Sequence, residues 1–171
     1  APQPFSLILV DDEGRRTVLW SRAPGLNMDA GDVDPAAVTS GRVLLVDDHQ
    51  TAAATRAAAC GRRAGIPTMV DVEKVRPGIE DLLAQVDLII TAQSFPEAFT
   101  GVSGLGAALT DLAQRFKPAM VCATLGHQGS LAIVGGTEIR TPGFPIPVVD
   151  STGAGDVFRG GFIAAWLAAG V

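Results

Sequence analysis

The chain has 171 residues, of which 47% are hydrophobic, and this is enough to bury one substantial core in a single domain. Its net charge of −5 and its 13 dispersed lysines and arginines argue against a nucleic-acid-binding protein. Because no apolar run approaches the ~18 residues of a membrane span and no signal peptide is visible, we expect a cytoplasmic protein without membrane contacts.

Two β-type runs open the chain. Residues 5–11 and 16–20 flank Asp12-Glu13-Gly14, which is typical of a hairpin turn. An edge hairpin of the main sheet is one alternative for these two strands. Residues 21–40 then predict a return loop with a short helix after Asp34-Pro35.

From residue 42 onward, strands and helices alternate. The strands are predicted at 42–48, 66–72, 86–92 and 118–125, and the helices at 51–64, 77–85 and 103–116. Continuous apolar strands separated by helices indicate an α/β fold whose mostly parallel sheet has helices on both faces. Residues 130–135 and 137–141 predict an antiparallel pair across a glycine-rich turn. Cys60 and Cys122 lie in apolar or alanine-rich segments, so we expect buried free thiols.

The most informative stretch is DSTGAGD, residues 150–156, directly ahead of an apolar segment predicted as a helix. Gly153, Ala154 and Gly155 are small enough for a ligand to approach the backbone closely, and a helix start leaves amides unpaired. With the helix dipole, these amides make an anion site. Asp156 is then a candidate general base that takes a proton from a hydroxyl attacking a phosphoryl group. The alternative is a tight strand-to-helix turn with Asp156 as an ordinary helix N-terminal carboxylate.

A second glycine-containing loop, TLGHQG at residues 124–129, follows a buried-type strand. Ligands bind at the carboxyl ends of strands in open α/β sheets, and Gly126 and Gly129 would admit close backbone contact. A simple β-turn is the alternative. His127 has no partners at metal-ligand spacing, so we expect it to face solvent.

Residues 148–162, VVDSTGAGDVFRGGF, closely resemble the C-terminal signature of the ribokinase-like, or PfkB, family of carbohydrate and nucleoside kinases. The resemblance implies a ribokinase-like α/β fold. It also implies that Asp156 is the catalytic base and that the amides of Gly153, Ala154 and Gly155 form an anion hole for the transferring phosphoryl group.

The TLGHQG loop is similar to the family's TLGxxG segment, which contacts the nucleotide. By this resemblance Thr124, Gly126 and Gly129 bind ATP, together with Gly155 of the anion hole. The implied partners are ATP and a small sugar substrate, and we also allow for a homodimer.

Magnesium and a monovalent cation are implied by the same resemblance. The family usually carries Asn-x-x-Glu after the strand at 86–92, but Ala92 and Phe95 stand at those two places, and Glu97 follows two residues late. Mg²⁺ is therefore expected to depend on water and on the ATP phosphates. Asp150 and Thr152 match positions that help to coordinate a monovalent cation, such as K⁺, beside the anion hole.

Charged residues follow two of the predicted strands. Residues 47–49, Asp-Asp-His, either touch substrate or begin a loop. In the run at 71–76, Lys74 or Arg76 could neutralise phosphate charge, and Asp71 could reach magnesium through water. A solvated charge run is the alternative for this second segment.

The resemblance assigns residues 1–30 to part of a small β lid over the sugar site and residues 31–171 to a nucleotide-binding core. It covers the middle and later part of a PfkB kinase. The family's N-terminal Gly-Gly sugar-binding segment and its final helices have no counterpart here. We therefore expect a core truncated at both ends, from a longer kinase.

The sequence thus predicts an ATP-dependent phosphotransferase acting on a hydroxyl of a sugar or sugar-like substrate. One alternative is a non-catalytic nucleotide-binding relative or an inactive fragment. Another is a dinucleotide-binding oxidoreductase domain, because Gly153-x-Gly155 resembles the start of GxGxxG, although Phe158 occupies the place of the third glycine. A P-loop is excluded, since the sequence contains no GxxxxGK[ST].

Overall fold

The computed structural model describes residues 5–12, 16–21, 25–148 and 150–169. The strands are β1 (Phe5–Val10), β2 (Arg16–Ser21), β3 (Leu44–Asp47), β4 (Thr68–Val72), β5 (Leu88–Ala92), β6 (Met120–Thr124), β7 (Ser130–Val134) and β8 (Thr137–Thr141). The α-helices are α1 (Pro35–Val38), α2 (Thr51–Arg63), α3 (Ile79–Leu83), α4 (Phe95–Thr100), α5 (Leu105–Phe116) and α6 (Ala154–Ala168).

The larger sheet has six strands, arranged in chain order from β3 to β8. Strands β3 to β6 are parallel, and β7 and β8 then run antiparallel to their neighbours. The parallel strands are joined through helices, as a parallel connection requires. The predicted α/β fold with a mostly parallel sheet is confirmed, and so is the antiparallel pair after residue 130.

Both faces of the central strands are covered, which explains their continuous apolar sequence. Alternate residues along β4, β5 and β6 belong to two separate clusters, as the two-residue period of a strand dictates. On one face, the sheet packs against helices α2 to α5. On the other face, α6 covers Met69, Leu88, Ile90, Met120 and Cys122 with Phe158, Phe162, Ile163 and Trp166. This packing fixes the start of α6 relative to the sheet.

The N-terminal hairpin is separate from the main sheet. Strands β1 and β2 form their own antiparallel two-stranded sheet, in which Phe5 lies opposite Ser21. Of the turn predicted at Asp12-Glu13-Gly14, Asp12 is in a turn, and Glu13 and Gly14 lie outside the described residues. Because β1 and β2 are not paired with the main sheet, the alternative of an edge hairpin of that sheet is wrong. The assignment of residues 1–30 to a lid stays a prediction.

Among the described α-helices and strands, α4 is the one that the sequence analysis missed. It has six residues, begins with a proline in its first turn and ends at Gly101, which has a φ of 72°. A helix of this length has less than two turns of apolar periodicity, which is too little for a helical pattern to be recognised. None of the described helices has the length and apolar character needed to span a membrane. Cys60 and Cys122 are free and buried, as expected.

Candidate active site

The DSTGAGD segment forms the turn that begins α6. The carboxylate of Asp150 accepts a hydrogen bond from the amide of Thr152 at 2.8 Å. Gly153 then caps the helix with a left-handed φ of 76°, a conformation that residues with a side chain rarely adopt. The helix begins at Ala154, within the run of small residues that precedes Asp156.

The first amides of α6 are partly available to a ligand. The amide of Ala154 donates to the carbonyl of Ser151 at 3.2 Å and so closes the turn. Within the described residues, the amides of Gly153 and Gly155 have no backbone acceptor, and no side chain caps the helix. Since α6 has 15 residues, its dipole adds positive potential at this end. Such a helix start can bind an anion.

Asp156 lies in the first turn of α6 and faces solvent, with 83% of its side chain exposed. One turn later, Arg159 is almost fully buried, with 8% of its side chain exposed. Its Nη1 lies 3.4 Å from Oδ1 of Asp156, and its Nη2 donates a hydrogen bond to the carboxylate of Asp71 in β4. The guanidinium of Arg159 therefore joins the start of α6 to the sheet.

Asp71 is a partly buried carboxyl with an altered acidity. Burial raises the pKa of Asp71 from 3.8 to about 6, even though the charge of Arg159 and its hydrogen bond act in the opposite direction. The negative charges of Glu73 and Asp48 raise it further. The free-energy cost of removing this carboxylate from water is thus larger than the stabilisation that it gains from Arg159.

An open cleft of about 300 Å³ lies beside the start of α6 and is lined by Leu45, Val46, Asp47, Asp71, Asp156 and Arg159. Asp47 and Asp71 are neighbours in register near the carboxyl ends of the parallel strands β3 and β4. The cleft is therefore at the edge of the sheet where ligands of α/β proteins bind. The structure brings Asp156 together with two strand-end carboxylates that the sequence analysis treated separately.

Asp48, next to Asp47, has a structural role. It is 1% exposed, and its Oδ2 accepts hydrogen bonds from the amides of Glu73 at 3.0 Å and Lys74 at 2.8 Å. Its Oδ1 lies 3.3 Å from Nε of Arg76 and 3.4 Å from Nδ1 of His49. Asp48 thus ties the end of β3 to the loop after β4, and Arg76 is engaged with it rather than placed in the cleft.

The TLGHQG loop turns sharply after β6 and packs against the segment after β8. Gly126–Gln128 form one 3₁₀ turn, and Gly129 has a φ of 91°. A Cβ atom on Gly129 would lie 1.9 Å from the carbonyl oxygen of Thr141, and one on Gly143 would lie 2.3 Å from that of His127. The sequence analysis missed Gly143, because its role depends on a contact across the sheet edge and not on a local pattern.

The two glycine motifs share one edge of the sheet without forming one cleft. Thr124 ends β6, and its hydroxyl donates to the carbonyl of Thr91 at 3.3 Å. Strand β6 lies two strands from β4, roughly 10 Å at the usual spacing between strands. Within the described chain, residues 124–129 do not line the cleft beside Asp156. His127 is exposed, as expected.

The residues at the places of the missing Asn-x-x-Glu segment do not form a magnesium site. Phe95 is 1% exposed in the core, and Ala92 has no ligand atom in its side chain. The carboxylate of Glu97 accepts a hydrogen bond from the amide of Gly104 at 2.6 Å, just before α5. Among the described residues there is no group of three or more His, Cys, Asp or Glu suited to a metal. The monovalent cation at Asp150 and Thr152 stays a prediction.

Comparison with known proteins identifies the family. The sequence profile of the pfkB family carbohydrate kinases matches residues 1–170. The 2-dehydro-3-deoxygalactonokinase of Haloferax volcanii is 28% identical, over 98% of this chain and 55% of that enzyme. The fructokinase of Klebsiella pneumoniae is 30% identical, over 59% of this chain and 33% of that enzyme. The chain spans between a third and just over half of these relatives.

Solved structures show the same fold. The adenosine kinase of Sinorhizobium meliloti superposes with a TM-score of 0.82 at 22% identity, covering 96% of this chain and 54% of that structure. The ribokinase of Thermotoga maritima superposes with a TM-score of 0.77 at 20% identity, covering 96% of this chain and 56% of that structure. The match of the family profile to residues 1–170 shows that the chain belongs to the PfkB family of carbohydrate kinases.

Proposed function

We propose that the protein containing this chain transfers a phosphoryl group from ATP to a hydroxyl of a sugar or sugar-like substrate. The observation that carries this proposal is the start of α6. There, the exposed carboxylate of Asp156 lies in a cleft next to the amides of Gly153 and Gly155, which have no backbone acceptor among the described residues. The names of the relatives, which include fructokinase and ribokinase, support the reaction class.

Each part of the site has a task in this mechanism. Asp156 accepts the proton of the substrate hydroxyl, which makes that oxygen a better nucleophile. The amides of Gly153 and Gly155 stabilise negative charge on the transferring phosphoryl group, and the amide of Ala154 holds the turn that presents them. The backbone of the TLGHQG loop binds the nucleotide. Catalysis then depends mainly on holding the two reactants in line.

Magnesium neutralises charge on the phosphates in such reactions. A magnesium ion held by the protein is not supported by the side chains of Ala92, Phe95 and Glu97. We therefore expect Mg²⁺ to arrive with ATP and to keep most of its water ligands. Asp150 and Thr152 are the residues that would hold a monovalent cation such as K⁺ next to the anion hole.

The dinucleotide-binding alternative has less support. In that motif, a third glycine permits close packing of the helix on the strand. Here Phe158 occupies that place, and its ring packs against the apolar face of the sheet beneath α6. The helix therefore rests on a large aromatic side chain.

The general base is tested with Asp156→Asn in the full-length protein. Incubation with ATP, Mg²⁺ and a panel of sugars, followed by measurement of ADP and phosphorylated sugar, identifies the active substrate. With that substrate, kcat should fall by ~10²–10⁴, the usual contribution of a general base, and the Kd for ATP should stay within about twofold. Glu80→Gln is the matched control, because Glu80 is an exposed acid in the first turn of α3. Near wild-type turnover by Asp156→Asn would exclude the assignment.

A further inference from the structure

We infer that Arg159 is a positioning residue for Asp156 and that Asp71 holds Arg159 in place. This inference rests on the proposed phosphotransferase function. It adds two residues to the site: Asp71, in β4, and Arg159, one turn beyond the GAGD segment. Neither belongs to the predicted anion hole or to the nucleotide loop.

The guanidinium of Arg159 is confined on several sides. Its side chain is buried, its Nη2 donates to the carboxylate of Asp71, and its Nη1 lies 3.4 Å from Asp156. Its Nε is buried and has no hydrogen-bond partner among the described residues. A buried guanidinium that left the two carboxylates would lose most of its electrostatic compensation, so its position is well defined.

Gly155 provides the space that this arrangement needs. A Cβ atom at position 155 would lie 2.7 Å from Nη1 of Arg159 and 3.4 Å from its Cζ. The guanidinium therefore lies across the first turn of α6, directly over the glycine. Gly155 has a second physical requirement here, in addition to exposing its amide to an anion.

The charges of the cleft explain why a fixed cation is useful. Among the residues that line it in the described chain, Asp47, Asp71 and Asp156 are acidic and Arg159 is the single base. A phosphoryl group entering beside Asp156 would repel its carboxylate, and a positive charge on the far side of that carboxylate opposes this repulsion. A mobile arginine would instead form a bidentate pair with the phosphate. Asp71 prevents this by occupying Nη2.

The role is tested in the full-length protein with Arg159→Met, which removes the charge and keeps much of the length. We expect kcat to fall by ~10–100-fold, as for a displaced catalytic group, while KM for ATP and sugar changes by less than about threefold. Arg159→Lys keeps the charge without the fork and should recover part of kcat. Arg115→Met is the matched control, because it removes an arginine ion-paired to Asp111 at 2.6 Å on α5, on the opposite face of the sheet.

A structural role and a positioning role are separated by the double variant. If Asp71 acts through Arg159, then Asp71→Asn should lower kcat, and Asp71→Asn with Arg159→Met should be no slower than Arg159→Met alone. Thermal unfolding and active-site titration measure how much of each variant is folded and active. If Arg159→Met does not fold, Arg159→Lys replaces it in the double-variant comparison. Unchanged kcat in folded Arg159 variants, or additive effects of the two substitutions, would overturn the inference alone. Absence of sugar phosphorylation by the wild-type protein would overturn the proposed function and this role with it.

Discussion

The TLGHQG loop and the start of α6 both contain glycines at the carboxyl edge of the sheet, but the atoms that surround these glycines differ. Gly129 is closely enclosed by backbone atoms, so that a Cβ would lie 1.9 Å from an oxygen of Thr141. At the start of α6, the nearest atoms to a Cβ on Gly153 or Gly155 belong to the side chains of Asp156 and Arg159. Backbone cannot yield, whereas the end of a long side chain can.

Because of this difference, substitutions in the two regions should have different effects. Substitutions in the loop should act on stability, because the packing of two backbone segments would have to open. Substitutions at the start of α6 should act on turnover, because the first groups to move are the charged side chains that line the proposed catalytic cleft.

The largest effect is expected from Gly129→Ala. The new methyl group meets the backbone of Thr141 and Gly143 and also requires a φ of 91° that alanine rarely adopts. We expect a loss of unfolding free energy of more than ~4 kcal/mol, which marks a severe steric clash, or misfolding of the loop. Equilibrium unfolding in urea measures this. Gly126→Ala is the control, because Gly126 also has a positive φ, of 58°, while a Cβ there meets no described residue within 4 Å. Equal losses in the two variants would contradict the enclosure of Gly129.

The next effect concerns the pH dependence of stability through Asp71. Because its pKa in the folded state is raised from 3.8 to about 6, the folded protein binds more protons than the unfolded chain between these values. The stability that protonated Asp71 provides is full below pH 3.8 and is lost as the pH rises through about 6.

The side chain in Asp71→Asn does not titrate, so a comparison with wild type measures the pH-dependent stability that Asp71 contributes. The unfolding free energy of this variant relative to wild type should rise between about pH 4 and pH 6 and stay level above, by at most ~3 kcal/mol. Arg159 opposes the shift, and Glu73 and Asp48 support it. If the relative stability of Asp71→Asn instead fell with rising pH, the ion pair with Arg159 would outweigh the burial of Asp71.

The sequence predicted the parts of the molecule that local patterns specify. Continuous apolar strands identified β3 to β6, and the small residues before Asp156 indicated where α6 starts. The contact between Asp71 and Arg159 joins residues 88 positions apart, and no pattern in either segment indicates the partner. Gly143 and Asp48 were missed or left open for the same reason. The role of each is set by backbone that reaches it from a distant part of the chain.

The smallest effect on stability, and a measurable one on turnover, is expected from Gly155→Ala. The gain in helix propensity of ~0.5–1 kcal/mol should largely offset the cost of moving the guanidinium of Arg159, which lies 2.7 Å from the new Cβ. Turnover should fall by ~10-fold, because a displaced Arg159 no longer supports Asp156. Gly160→Ala is the matched control in the same helix, since a Cβ there meets no described residue within 4 Å. It should stabilise the protein and leave kcat unchanged. If both alanine variants had the same turnover, the space above Gly155 would serve packing and not the position of Arg159.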